Sequence, residues 1–180
     1  MYSMVLETKD WIMMLSPVVV AIGIVVSTFH IKKQMRMTYN LYMREKSLSY
    51  SLYSNQHLRD ARLKIEKEFG PLFSIKEAIS MKDLKDKVAQ DSELLASIMT
   101  ILAHWENMAL AINSGIADNE VCRDMVSNTL IQHLRVFYNF IEERREKNPR
   151  IYLNLVNLSR KWQDELGQTT GVNYNPILRG

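Results

Sequence analysis

Four histidines, one cysteine and 20 Asp/Glu residues are the side chains with which this 180-residue chain could do acid–base, nucleophilic or metal chemistry. The histidines are His30, His57, His104 and His133. A helical metal site needs Glu-x-x-His or His-x-x-x-His, which places two ligands on one face. Neither spacing occurs. His57 and Asp60 are three apart, and such a pair reads as a surface hydrogen bond. Cys122 follows a capping Asp118, so it sits in a helical first turn, where the dipole lowers a thiol pKa. A nucleophile also needs a positioned base. His133 is eleven residues further on, about three turns away, so Cys122 reads as packing. The six glycines are too scattered for a phosphate-cradling loop. Arg144 and Arg145, set among Glu142, Glu143 and Glu146, read as a solvated, salt-bridged face. One grouping remains. His104, Trp105 and Glu106 are consecutive on an apolar helix, and Arg62 and Arg123 could join them in a polar core cluster. No catalytic residue, metal ligand or cofactor site is assigned. The lone cysteine also excludes an intramolecular disulfide framework.

The elements that must position these residues are helical. Gly and Pro are scarce, at 6 and 4, and no segment alternates apolar and polar residues as a half-buried strand would. Asn55 is placed to cap a helix that ends at Gly70-Pro71. Ser74 with Glu77, and Ser80 with Asp83, have capping-box spacing. The charged stretch 81–90 predicts short helices or a mobile connection. Asp91 or Ser92 opens a strongly apolar helix to about 113, broad enough on its apolar face to lie centrally. Asp118 opens a helix to about 147. Asn148-Pro149 then starts a last helix, closed at Gly167. The expected fold is all-α: four to five helices over 55–167, with a loose tail over 168–180.

The apolar residues are unevenly spread. Residues 11–31, from Trp11 to Ile31, contain no Asp, Glu, Lys or Arg. As a helix this run is about 30 Å long, the thickness of a bilayer's hydrocarbon core. The preceding residues 1–10 carry Glu7, Lys9 and Asp10, and the run is followed by Lys32, Lys33 and Arg36. A signal peptide has a basic start and a small-residue cleavage site instead, so the run reads as an uncleaved anchor. Basic flanks mark the cytoplasmic side. This predicts a single-pass protein of the cytoplasmic membrane, with its short N-terminus outside and its C-terminal domain in the cytoplasm. Trp11 suits the outer interface. Pro17 either begins the helix after Ser16 or kinks it. Gly23 and Ser27 form a small-xxx-small pair that lets two helices approach.

The basic excess lies next to the anchor. Residues 32–67 hold nine Lys/Arg against three Asp/Glu, within a whole-chain net charge of +3. Lys32, Lys33 and Arg36 would meet anionic lipid, each contributing about 1 kcal/mol. Tyr39, Tyr42, Tyr50 and Tyr53 alternate with cations in a manner compatible with nucleic acid. Their position beside the anchor favours a stalk helix over 32–54 instead, and a nucleic-acid partner is not expected.

Three stretches carry a family resemblance. They are Asp60-Ala-Arg-Leu-Lys-Ile-Glu66, Trp105-Glu-Asn-Met-Ala-Leu-Ala-Ile-Asn-Ser-Gly-Ile116, and Phe140-Ile-Glu-Glu-Arg-Arg-Glu-Lys-Asn-Pro149 with the later Leu-Ser-Arg-Lys-Trp162. Their order and spacing, over roughly Tyr53 to Trp162, resemble a bacterial and phage family of small helical proteins known as a domain of unknown function. Its members commonly carry an N-terminal membrane helix. The resemblance implies fold and topology and supplies no catalytic residue. The expected function is a membrane-anchored helical interaction or scaffold module without catalytic activity, binding membrane lipid and a protein partner or a second copy. The alternative is an oligomeric membrane effector whose bundle senses a signal and whose anchors perturb the bilayer. An enzyme reading would place Trp105, Glu106, Arg62 and Arg123 around one polar pocket.

Overall fold

The computed structural model describes the backbone of residues 2–52 and 55–170, with side chains over 17–52 and 55–167. The expectations for Trp11, for Tyr53 and for the end of the tail fall outside these described side chains. All regular structure among the described residues is helical. The chain divides into two compact units, 1–42 and 43–180.

The first unit is most of one helix. Helix α1 runs Tyr2–Leu48, and Pro17 lies inside it rather than at its start. From Val18 to Ile31 the large apolar side chains are at least half exposed, Phe29 at 69%. No glycine or proline follows before Leu48, so nothing in the sequence stops the helix at the basic flank. It ends six residues short of the expected stalk boundary.

The second unit is the bundle. Its helices are α2 (Gln56–Phe69), α3 (Met81–Gln90), α4 (Ser92–Asn113), α5 (Asn119–Val136), α6 (Tyr138–Lys147) and α7 (Leu153–Thr170), with a 3-10 turn at Leu72–Ser74. Caps set most starts. The side chains of Asn55, Ser80, Asp91 and Asp118 each accept a first-turn backbone N–H. Gly70 closes α2 at φ 82°, a conformation that costs other residues about 1–2 kcal/mol.

Helix α4 is the central element. It packs on α2, α7 and α3 and touches α5. It is long and apolar enough to cross a membrane, yet Leu94, Ile98, Ile101, Leu102, Trp105 and Met108 are fully buried. Its apolar face is therefore occupied by the bundle. Ile65, Leu72, Leu130, Leu155, Val156 and Trp162 complete the core from the surrounding elements.

Three local expectations are corrected. The helix expected over 118–147 breaks at Phe137, so the bundle has six α-helices among the described residues rather than four or five. The break follows from a tertiary contact: the Val136 carbonyl accepts the Ile79 N–H at 2.9 Å, and Asn139 Nδ2 donates to the Ile79 carbonyl at 3.0 Å. Gln132 Nε2 donates to the Leu72 and Ile75 carbonyls at 2.8 and 2.7 Å. The 72–79 segment is thus held by α5 and α6, and Ser74 ends a 3-10 turn instead of capping a helix. The last helix begins at Leu153, after a turn in which Asn148 Oδ1 accepts the Arg150 N–H, and it runs through Gly167 to Thr170.

Candidate functional site

Of the residues expected in a polar core, His104 and Trp105 lie together and are joined by His133. The His104 Nε2–H donates to the Tyr50 carbonyl at 3.0 Å, since a carbonyl can only accept. The His104 ring meets Trp105 edge-on, with centroids 4.9 Å apart. The Trp105 indole N–H donates to His133 Nδ1 at 3.0 Å. Trp105 and His133 are both fully buried. The string Tyr50–His104–Trp105–His133 therefore crosses α4 from the segment after α1 to the inner face of α5.

The indole donor fixes the histidine's proton. Nδ1 accepts, so a neutral His133 carries its proton on Nε2. That N–H has no partner among the described residues, an arrangement costing about 1–3 kcal/mol. Burial, and then the nearby Arg62 charge, push the His133 pKa down to about 3. Burial also lowers His104, opposed by its bond to the Tyr50 carbonyl. Both imidazoles are neutral near pH 7. No carboxylate orients either ring among the described hydrogen bonds, so the string lacks the third member of an acid–base triad.

Of the other expected members, Arg62 stays near His133, while Glu106 and Arg123 are engaged elsewhere. Glu106 turns away from the histidines and caps α7: its carboxylate accepts Asn154 N–H at 3.3 Å, Asn154 Nδ2 at 2.8 Å and Leu155 N–H at 2.8 Å. A carboxylate on first-turn amides also meets the positive end of the helix dipole. Arg62 pairs with Glu66 at 3.0 Å, and its guanidinium lies 5.9 Å from the Phe73 ring centre. Arg123 is not in the cluster; it bridges to Glu165 at 3.0 Å and Asp124 at 3.4 Å. The pocket of the enzyme reading is thus not assembled from these residues.

Cys122 is buried. Burial pushes its thiol up, against the expected lowering by the helix dipole. Beside it, Ser47 is fully buried, its hydroxyl donating to the Met43 carbonyl at 2.7 Å and accepting the Asp118 N–H at 2.7 Å. The end of α1 is thereby tied to the start of α5. Asp60 accepts from Gln56 Nε2 at 2.8 Å, which occupies the carboxylate of the His57–Asp60 pair. Among the described residues no group of three or more His, Cys, Asp or Glu could hold a metal ion.

On α1, Lys32, Lys33 and Arg36 are exposed, as are Gly23, Ser27 and Ile31. A Cβ added at Gly23 would meet nothing within 4 Å. The Thr28 hydroxyl donates to the Ile24 carbonyl at 2.7 Å, so it is satisfied within its own helix.

His133 is the site residue that sequence reasoning missed. Its signal is its register: Leu130, His133, Leu134 and Phe137 share one buried face of α5. A histidine embedded in an apolar stripe requires a polar partner from another helix, and Trp105 supplies it.

The chain belongs to the family described as Domain of unknown function (DUF4760), whose model matches residues 17–162. The match reaches further toward the N-terminus than the resemblance over 53–162, into the apolar part of α1. Neither a curated protein nor a solved structure matches the chain.

Proposed function

We propose that this DUF4760 chain is a single-pass membrane protein whose bundle is a non-catalytic binding module held at the cytoplasmic face. The observation that carries the reading is the exposure of the large apolar side chains from Val18 to Ile31, directly followed by exposed Lys32, Lys33 and Arg36. Fourteen successive positions without a charged residue, all of them exposed on the helix, need a low-dielectric surround. The basic residues then match anionic headgroups and set the orientation. The bundle contributes packing, caps and a buried aromatic–imidazole string, which suits holding a shape for a partner.

Association with a second copy is part of this reading. Beyond the span, Met35, Met37, Tyr39, Leu41 and Tyr42 remain more than half exposed. Met35, Tyr39 and Tyr42 share one helical face and Met37 and Leu41 the opposite one. Exposed apolar faces outside the bilayer favour being covered, and Gly23 leaves room for a helix to approach. The effector alternative draws less support. It requires polar groups in the span that seek partners across a pore, and the Thr28 hydroxyl is already bonded to its own backbone.

Alkaline carbonate washing of membranes from cells expressing the full chain tests the reading. The chain is expected to stay in the pellet, and a variant with Val19, Ile22 and Val26 replaced by Glu is expected in the supernatant. Release of the unaltered chain by carbonate overturns the anchor.

A further inference from the structure

The bundle holds a cavity of about 500 Å³ between α3 and α6, floored by α4. This volume is within the usual range for small-molecule sites. It exists because two helices present matching faces across a gap. On α3, Met81, Leu84 and Val88 recur at helical spacing; on α6, Phe140, Glu143, Arg144 and Lys147 do the same. Leu95 of α4 and Ile151 of the following turn close the apolar interior.

Four charged side chains line the cavity: Lys85, Glu143, Arg144 and Lys147. Lys85 and Glu143 neutralise one another at 3.1 Å. Arg144 and Lys147 remain, and neither has a carboxylate partner among the described ion pairs. The Arg144 guanidinium lies 4.8 Å from the Phe140 ring centre, with Nη2 3.6 Å from Met99 Sδ. A guanidinium stacked on a ring keeps its edge donors available for an oxyanion. An apolar interior ending in two uncompensated cations describes its ligand: an apolar body with one anionic end.

We propose that the cavity between α3 and α6 binds a fatty acid anion, with its chain against Val88, Leu95 and Phe140 and its carboxylate between Arg144 and Lys147. The volume suits a single chain of medium length. Cationic amphiphiles are opposed by Arg144 and Lys147. An extended peptide would leave backbone groups unpaired against the apolar interior. This site does not depend on the membrane reading, because every residue in it belongs to the bundle unit.

The test is photo-crosslinking of the full chain, in nanodiscs of uncharged phosphatidylcholine, with a diazirine-bearing dodecanoate. Labelled peptides are expected from α3 and α6, with dodecanoate competing and dodecanol competing about tenfold less well. Ala89→Trp, at an exposed position on the cavity mouth, is expected to abolish labelling without changing the melting temperature. Lys147→Gln, also exposed, is expected to weaken competition by dodecanoate and leave that by dodecanol unchanged. Labelling confined to α1, equal competition by dodecanol, or stronger competition by lysophosphatidylcholine than by dodecanoate each overturns the assignment.

Discussion

The Trp105 indole N–H donates to His133 Nδ1 at 3.0 Å, and both rings are fully buried between α4 and α5. This bond joins the central helix to its neighbour through the only polar edge each ring offers in that direction. It also decides the tautomer of His133 and leaves Nε2 without a partner among the described residues. Trp105→Phe removes the donor, a ring's worth of packing, and the satisfaction of Nδ1. The expected loss is about 2–4 kcal/mol, read as a lowered melting temperature of the bundle by circular dichroism. An unchanged melting temperature would mean that the bond contributes nothing.

Acid should weaken the bundle through the same histidine. The folded pKa of His133 is depressed to about 3, below the unfolded value near 6.5. The unfolded chain therefore binds the proton first as pH falls. The stability is fully present above about pH 6.5 and is lost progressively down to about pH 3, at up to ~1.4 kcal/mol per pH unit for this group. His104, also lowered by burial, adds to the upper part of that window. His133→Gln can keep an acceptor for the indole and does not titrate. Its melting temperature is expected to fall less steeply between pH 6.5 and 4, and an unchanged slope would remove His133 from the account.

Glu106 caps the first turn of α7. Glu106→Ala leaves the Asn154 and Leu155 amides uncapped, at a cost of about 1–2 kcal/mol. Glu106→Gln keeps one oxygen acceptor and should lose less. Hydrogen exchange is the discriminating measurement: amide protection should drop in the first turn of α7 and stay unchanged in α2. Uniform loss across the bundle would contradict a local cap.

Gly23→Leu separates tether from assembly. Open space around Gly23 means that the substitution costs a lone chain little. If α1 self-associates through Gly23 and Ser27, the mass of the full chain in nanodiscs should fall from an oligomer to a monomer. A monomer before and after the substitution would remove self-association and leave a plain anchor.

Much of the fold was legible because helix caps are local chemistry. Asn55, Ser80, Asp91 and Asp118 each announce a start that depends only on their own next turn. Central burial of α4 was legible from the breadth of its apolar face. The break at Phe137 was not, because it carries neither Gly nor Pro; it depends on Ile79, far away in sequence, taking the Val136 carbonyl. The start of α7 was misplaced for a similar reason. Asn148-Pro149 is a plausible local cap, but the first amides of the helix are satisfied by Glu106 from another helix. The site was half legible. Adjacent His104 and Trp105 pointed to a polar core, whereas the Trp105–His133 pairing and the α3–α6 cavity depend on how helices meet.

In the proposed membrane reading, Lys32, Lys33 and Arg36 set the orientation of the bundle. Fusing a fluorescent protein and, separately, alkaline phosphatase to the C-terminus of the full chain measures it directly. Fluorescence without phosphatase activity is predicted for the unaltered chain, and a mixed result when the three cations are replaced by Gln. Phosphatase activity without fluorescence in the unaltered chain would place the bundle outside the cytoplasm and contradict the central claim.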